Sequence, residues 1–217
     1  MHSKTRVFFD FDNTISKFDV LDDILRRFST GNHWLKLERD WRARRIGSRK
    51  CLEGQVRGLR ISREELKRYL KKVTVDPYFK KTLRLLNRNK VPCAILSDNF
   101  DFILKEILRH HGIGNIPVFC NRVRFQGRRL IPTFPLFDPS CPHCAHCKGQ
   151  HLPQNRKITT IYIGDGFSDF CAAKRAGIVF AKATLLKHMR REKRTCLSFK
   201  TLKTVYLFFE KFLAGGS

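Results

Sequence analysis

The fold of this chain is decided by residues 6–14, which read RVFFDFDNT. The apolar residues 7–9 include β-branched and aromatic side chains, which is typical of a buried strand. Asp10 and Asp12 follow at its C-terminal end, where open α/β sheets bind ligands. Positions i and i+2 of an extended segment point the same way, so both carboxylates can face one crevice. One carboxylate can act as a nucleophile while the other transfers a proton. The alternative interpretation is that Asp10, Asp12 and Asn13 only form an ordinary turn at the end of the strand.

Further short apolar runs repeat this strand pattern and alternate with helix-like stretches. The predicted strands are residues 6–10, 93–97, 118–121, 160–164 and 178–181, and the predicted helices are residues 77–89, 100–111 and 168–176. This alternation predicts an α/β fold, a Rossmann-like and mostly parallel sheet with helices on both faces. Residues 122–125 and 129–133 interrupt the alternation as a predicted hairpin.

Residues 18–75 show no strand pattern and carry apolar residues at helical spacing, such as Val20, Ile24 and Phe28. We therefore predict a small α-helical cap inserted after the first strand. The predicted domains are a catalytic core of residues 1–17 and 76–214 and a cap of residues 18–75. Residues 184–213 form a basic amphipathic helical stretch, whose apolar side is expected to pack on the sheet.

The composition indicates a folded and strongly basic protein. The 217 residues are 42% hydrophobic, and Lys plus Arg number 44 against 19 Asp plus Glu, a net charge of +25. That charge attracts anions, whether nucleic acids, acidic membranes or phosphorylated metabolites. Charged residues interrupt every apolar run before the roughly 18 residues that a membrane span needs. Since no signal peptide is visible either, we expect a cytoplasmic protein without membrane contact.

A second acidic strand end lies at residues 163–169, which read IGDGFSD. Its glycines let the backbone approach a ligand, and Asp165 and Asp169 supply the hard oxygens that Mg²⁺ prefers. A tight turn with a helix cap is the alternative, but neighbouring carboxylates would repel one another unless a cation lay among them. Ser97, which ends another predicted strand, and Lys148 offer the hydroxyl and ammonium groups that a transferring phosphoryl group needs.

The order of these pieces is DxDxT, a strand that ends in Ser, then Lys, then GDGxxD. It resembles the haloacid dehalogenase superfamily of phosphatases over nearly the whole chain, and the insertion resembles the helical cap of its subfamily IB, which contains phosphoserine phosphatase. The resemblance implies a phosphoric monoester hydrolase that uses Mg²⁺ and an aspartyl-phosphate intermediate. The expected partner is a small phosphorylated metabolite.

The resemblance also implies a role for each motif residue. Asp10 would be the nucleophile, Asp12 the acid and base, and Lys148 the cation that stabilises the transferring group. Thr14 and Ser97 would bind the phosphoryl oxygens. The implied metal ligands are Asp10, Asp12 through its backbone carbonyl, Asp165 and, as a support of the metal shell, Asp169.

Two subgroups of the superfamily resemble the chain further. Residues 140–149 (SCPHCAHCKG) and 162–171 (YIGDGFSDFC) resemble phosphoethanolamine/phosphocholine phosphatases, whereas residues 97–102 (SDNFDF) and the length resemble the 2-hydroxy-3-keto-5-methylthiopentenyl-1-phosphate phosphatase of methionine salvage. The first subgroup, our first choice, implies that Asp98 and Asp22 contact the substrate amine. Alternatively, Asp22 stabilises the first turn of a helix and Asp98 caps the next one. The substrate would then be the methionine-salvage enol phosphate or a phosphoserine-like compound.

Three of the eight cysteines lie close together with two histidines: Cys141, His143, Cys144, His146 and Cys147. These side chains could bind Zn²⁺. A usual structural zinc site takes its ligands from two separate arms, so reduced cysteines that shape the loop before Lys148 are the alternative. An iron–sulfur site is disfavoured because we find no fourth cysteine at a suitable spacing.

A protein of another class, a nucleic-acid-binding protein on a phosphatase scaffold, would also explain basic clusters such as residues 42–45 and 187–194. No groove-reading motif accompanies these clusters, and a pure binder has no use for an acidic catalytic set. A phosphatase for nucleic-acid ends is disfavoured because a closing helical cap excludes bulky substrates. We therefore expect no specific nucleic-acid partner, and the oligomeric state stays open.

Overall fold

The structure of the protein is a computed structural model, which describes residues 4–141, 143–155 and 157–215. The strands are β1 (Thr5–Phe9), β2 (Cys93–Phe100), β3 (Val118–Gln126), β4 (Arg129–Thr133), β5 (Thr159–Gly164), β6 (Ile178–Ala181) and β7 (Leu197–Ser198). The helices are α1 (Val20–Phe28), α2 (His33–Arg42), α3 (Ser48–Arg57), α4 (Arg63–Leu70), α5 (Pro77–Arg88), α6 (Asp101–His110), α7 (Phe170–Arg175), α8 (Ala183–Arg191) and α9 (Leu202–Ala214). Two 3-10 helices span Lys148–His151 and Phe167–Asp169.

The seven strands form one sheet in the order β4-β3-β2-β1-β5-β6-β7. Neighbouring strands are parallel except β3 and β4, which form the predicted hairpin. Phe9 at the end of β1 lies beside Ile95 of β2 and Ile163 of β5. The strand order therefore reverses at β1, and an open α/β sheet forms its ligand crevice at the carboxyl end of the strands at such a point.

Alternate residues of β1 pack on opposite faces of the sheet, as the period of a strand requires. Val7 and Phe9 belong to the larger core cluster, in which the rings of Phe9 and Phe79 lie 5.3 Å apart in an edge-on contact. Phe8 lies in a second cluster together with Ala172 of α7. Helices thus cover both faces, and the predicted fold class is confirmed.

The basic C-terminal stretch comprises α8, β7 and α9. Leu202, Val205 and Phe209 of α9 are buried in the larger core cluster. The Asp76 carboxylate joins the starts of two helices, because it accepts hydrogen bonds from the backbone N–H of Tyr78 in α5 and of Leu202 in α9. The apolar side of this stretch is therefore part of the core, as predicted.

The predicted helical cap consists of α1 to α4, which lie between β1 and α5 in the chain. Where the chain leaves and re-enters the core, Ser16 pairs with Val75 and the N–H of Asp76 donates to the Ile15 carbonyl at 2.8 Å. The domain limits at residues 18 and 75 stay a prediction, which this pairing supports. Within the described ranges no helix has the length and apolar character to cross a membrane.

Candidate active site

A cavity of about 310 Å³ lies at the carboxyl ends of β1, β2 and β5, under the helical cap. Its volume suits a small metabolite. The core contributes Asp10, Asp12, Asp98, Asn99, Lys148 and Asp165 to the lining, and the cap contributes Asp19, Asp22, Glu38, Trp41 and Gln55. The two predicted acidic strand ends therefore meet at one cavity, as the sheet topology requires.

Lys148 lies fully buried between two carboxylates of different strand ends. Its ammonium donates to Asp10 Oδ1 at 2.5 Å and to Asp169 Oδ1 at 2.7 Å, and it also donates to Ser168 Oγ at 3.0 Å. Burial and the nearby Asp169 raise the pKa of Asp10 well above its ordinary value, and the Lys148 charge opposes this rise. The lysine thus holds one oxygen of Asp10.

Asp169 is held by donors on both of its carboxylate oxygens. Tyr162 donates its hydroxyl to Oδ1 at 2.5 Å, and the backbone N–H groups of Asp165 and Gly166 donate to Oδ2 at 2.8 Å each. A Cβ atom at Gly164 would lie 2.5 Å from Oδ2, so only glycine lets the strand end approach this carboxylate. Asp169 is therefore a fixed support beneath the site.

Three carboxylates, those of Asp10, Asp165 and Asp169, have oxygens within 4.8 Å of one another. Burial and the charge of Asp169 raise the pKa of Asp165 to about 7. A bound cation would offset this repulsion and favour the ionised carboxylates. Because the oxygens of Asp169 are occupied by the donors described above, Asp10 and Asp165 are the carboxylates that fit direct contact with a hard cation such as Mg²⁺.

Asp12 is held at the cavity by an amide and by the cap. The Asn99 side-chain amide donates to both of its oxygens, at 3.2 and 3.0 Å, and the N–H of Val20 at the start of α1 donates to Oδ1 at 2.9 Å. Burial raises the pKa of Asp12, although these hydrogen bonds lower it in part. The raised pKa favours the protonated carboxyl group that a general acid requires.

The two hydroxyl groups predicted to bind phosphoryl oxygens do not line the cavity. Thr14 and Ser97 are both buried. Ser97 Oγ accepts the N–H of Asn99 at 3.0 Å, whereas Thr14 Oγ1 has no hydrogen-bond partner among the described residues. Their role in phosphoryl binding stays a prediction.

Asp98 and Asp22, which were predicted to contact the substrate amine, both line the cavity. Burial raises the pKa of each to about 6, and at Asp22 the charge of Glu38 adds to the rise. The alternative that Asp98 caps a helix is wrong, because Asp98 lies within β2 and α6 begins only at Asp101. Both Asp22 and Asp23 lie in the first turn of α1, but Asp23 binds Arg27 and the Tyr69 hydroxyl instead of lining the cavity.

The cavity is far more acidic than the surface of this basic chain. Its lining carries seven carboxylates against two cationic side chains, Lys148 and Arg42. Asp19, Glu38 and Trp41 were not predicted as site residues, nor was Asn99, whose side chain anchors Asp12. Asn99 could have been found, since it lies two residues beyond Ser97 at a strand end. Nothing in the periodicity of α2 singles out Glu38 and Trp41.

The three cysteines before Lys148 lie close to a fourth cysteine, Cys171. Sγ atoms of Cys141, Cys144, Cys147 and Cys171 lie within 4.8 Å of one another. The expectation that no fourth cysteine is available is therefore wrong, because α7 brings Cys171 back to the loop. His146 lies outside this group, since its ring nitrogens contact the Ser97 carbonyl at 3.2 Å and His151 at 2.6 Å.

The comparison with known families agrees with the resemblance that the sequence motifs carry. Residues 5–192 match the family described as Putative Phosphatase, and the chain therefore belongs to this phosphatase family. The predicted resemblance and enzyme class are confirmed.

Several known proteins are similar to this chain, two of them in sequence and one solved structure in fold. A 2-hydroxy-3-keto-5-methylthiopentenyl-1-phosphate phosphatase of Brevibacillus brevis is 28% identical over 191 residues, which cover 85% of this chain and 86% of the relative. Pdp3-interacting factor 1 of Schizosaccharomyces pombe is 27% identical over 221 residues, 94% of each chain. The structure of a phospho-aspartyl intermediate analogue of phosphoserine phosphatase matches with a TM-score of 0.71 at 21% identity, over 94% of this chain and 98% of the other.

Proposed function

We propose that this protein is a Mg²⁺-dependent phosphomonoesterase that hydrolyses a small phosphorylated metabolite through an aspartyl-phosphate on Asp10. The observation that carries the proposal is the buried ion pair of Asp10 with Lys148, at the crevice where two acidic strand ends meet. Membership of a phosphatase family supports the same reaction.

In the first step, the Asp10 oxygen that is not bound to Lys148 attacks phosphorus, and the bond to the leaving oxygen breaks. Asp12 gives its proton to that oxygen, and its raised pKa favours the protonated carboxyl group that this transfer needs. In the second step, the Asp12 carboxylate takes a proton from water, which attacks phosphorus and releases phosphate from Asp10. Asn99 keeps Asp12 in place for both proton transfers.

The carboxylates of Asp10 and Asp165 would hold Mg²⁺, with Asp169 as the support behind them. The backbone carbonyl of Asp12 is the further ligand that the resemblance to the superfamily implies. The cation would neutralise the carboxylates and the charge on the transferring phosphoryl group. Lys148 adds a fixed positive charge at the same place, and its burial makes that charge effective.

The test is hydrolysis of a panel of phosphomonoesters by the purified chain, with Mg²⁺ and after its removal by a chelator. We expect phosphate release that is lost with the chelator and returns with added Mg²⁺. Full activity in the chelated protein would refute the metal requirement, and no activity on any small phosphomonoester would refute the proposed reaction.

The relatives support a particular substrate. The Brevibacillus brevis protein and an Exiguobacterium relative, which is 28% identical over 95% of this chain, are both named as 2-hydroxy-3-keto-5-methylthiopentenyl-1-phosphate phosphatases. The enol phosphate of methionine salvage is therefore the first substrate to test. The initial choice of phosphoethanolamine or phosphocholine has no support from these relatives.

A specific observation favours a cationic leaving group as the second candidate. The cap side of the cavity offers the carboxylates of Asp19 and Asp22 and the ring of Trp41, whereas the Glu38 carboxylate is already paired with Arg42 at 2.7 Å. Carboxylates and an indole ring attract an ammonium group, most strongly where water is excluded. These carboxylates would not strengthen the binding of a neutral leaving group.

Asp22→Asn separates the two candidates. For a cationic leaving group, we expect kcat/KM for phosphocholine and phosphoethanolamine to fall about ten- to hundredfold more than for a neutral phosphomonoester, because one charge-assisted contact of about 1.5–3 kcal/mol is lost. Asp22 suits this test better than Asp98, since the Asp98 carboxylate also accepts the N–H of His146.

Asp23→Asn is the control for this comparison, because Asp23 is the next residue of α1 and pairs with Arg27 outside the cavity. It should change both kcat/KM values by the same small factor. Equal losses for charged and neutral substrates in Asp22→Asn would eliminate the cationic candidate and leave the enol phosphate.

A further inference from the structure

The four cysteines Cys141, Cys144, Cys147 and Cys171, here called the cysteine cluster, come from two separate parts of the chain. Three lie in the loop that precedes Lys148, and the fourth lies in the first turn of α7, 24 residues beyond Cys147. Cys144 and Cys147 are buried and the other two are half-buried. The cluster therefore joins two segments that meet only in the folded protein.

The spacing of the sulfur atoms fits one tetrahedral ion. Zn–S bonds of about 2.3 Å in a tetrahedron place neighbouring sulfur atoms about 3.8 Å apart. Cys144 Sγ and Cys171 Sγ lie 3.7 Å apart, and all four sulfur atoms lie within 4.8 Å of one another. A disulfide needs a sulfur separation of about 2.05 Å, so this pair is not bonded.

The loop that carries three of the cysteines contacts the core through His146 but has no regular secondary structure of its own in its described part. Between β4 and the 3-10 helix at Lys148 no strand or helix forms in the described residues. Structureless stretches of this length are uncommon in a compact fold without an additional constraint. The loop nevertheless approaches α7 closely, since a Cβ atom on Gly149 would lie 2.8 Å from the Cys171 carbonyl oxygen. A metal bound across the two segments would supply a further constraint between them.

We propose that the cysteine cluster is a structural Zn²⁺ site that ties the loop before Lys148 to the start of α7. Four thiolates at one tetrahedral centre are typical of zinc, and such a closed set leaves no open position for substrate. An iron–sulfur cluster is a poorer fit, because its cysteines bind different irons around a larger core and would lie further apart.

The zinc would not contact the substrate but would hold active-site residues in place. This part of the inference rests on the proposed function. Cys147 directly precedes Lys148, and Cys171 lies two residues beyond Asp169. The zinc would thus fix both ends of the Lys148–Asp169 pair, whose atoms lie 2.7 Å apart. Metal content does not depend on activity. If the protein contains no zinc but hydrolyses phosphomonoesters, this inference fails and the proposed function stands. The two failures are therefore distinguishable.

The experiment measures zinc and iron per chain in full-length protein purified without added metal and washed with a chelator. We expect one zinc per chain and no iron in the unaltered protein. Cys144→Ser and Cys171→Ser should each lose the bound zinc. Replacing a residue that only supports a metal ligand lowers metal affinity by roughly 10- to 100-fold, and replacing a ligand itself should lower the zinc affinity by more. Cys120→Ser, which alters a buried cysteine of β3 outside the cluster, should keep its zinc.

A second measurement uses the unaltered protein, so it tests the proposal even if the serine variants fail to fold. A mercurial reagent added stepwise to the unaltered protein should release its zinc as the four thiols of the cluster react. Replacement by Co²⁺ should give the intense visible absorption of a tetrahedral thiolate site. Zinc-free native protein, a Cys144–Cys171 disulfide, iron with inorganic sulfide, or zinc retained by both folded serine variants would overturn the proposal.

Discussion

Asp10→Asn should lower kcat for phosphomonoester hydrolysis by at least about ten-thousandfold, the scale seen when a covalent nucleophile is removed. The amide cannot attack phosphorus, and it is a poor ligand for a hard cation. Steady-state phosphate release with saturating Mg²⁺ measures the effect. Undiminished turnover by the variant would remove the enzymatic basis of the account.

The same variant should stay folded, because Lys148 keeps its contacts with Asp169 and Ser168. Circular dichroism and thermal melting check this point. Asp23→Asn makes the same chemical change outside the cavity and should retain nearly full activity on a neutral substrate.

Lys148→Met should reduce both stability and catalysis. The ammonium group is the buried cation between Asp10 and Asp169, so its removal leaves two carboxylates without their shared partner. Breaking a buried ion pair in this way lowers the free energy of unfolding by about 3–5 kcal/mol. Loss of a fixed charge at the transferring group should also lower kcat by about a hundred- to a thousandfold. Urea unfolding and steady-state kinetics measure the two effects.

Lys187→Met is the control, since Lys187 is an exposed residue of α8. Its free energy of unfolding should stay within about 0.5 kcal/mol of the unaltered protein. If Lys148→Met matched this control in both stability and kcat, the ion pair would have no part in the site.

The sheet could be predicted because its signals are local. Runs of β-branched and aromatic residues mark β1 and β5. The observed first and last residues of these two strands lie within one residue of the predicted ones. The acidic strand ends could be placed together for the same reason, since parallel strands end at one edge of a sheet. β2 was predicted too short, because it continues to Phe100 through the polar Asp98 and Asn99, which lack the strand pattern. The predicted strand 118–121 and the predicted hairpin arm 122–125 form one continuous strand, β3.

Other parts of the site depend on contacts that no local pattern records. Glu38 and Trp41 reach the cavity only because the cap folds over the core, and helical spacing does not show which face of α2 lies there. Cys171 joins the loop cysteines through the return of the chain at α7. Asp98 resembled a helix cap in the sequence, but its strand extends further and places it in the cavity wall.

The most direct test of the account is to trap the phosphorylated enzyme. Asp12→Asn removes the group that activates water, so a substrate with a good leaving group should still phosphorylate Asp10 but the product should hydrolyse slowly. After acid quenching, borohydride converts an aspartyl phosphate into homoserine, and mass spectrometry of the peptide locates it. The account predicts homoserine at position 10 only in protein treated with substrate. Phosphate turnover with no modification at Asp10, or with the phosphoryl group on another residue, would contradict it.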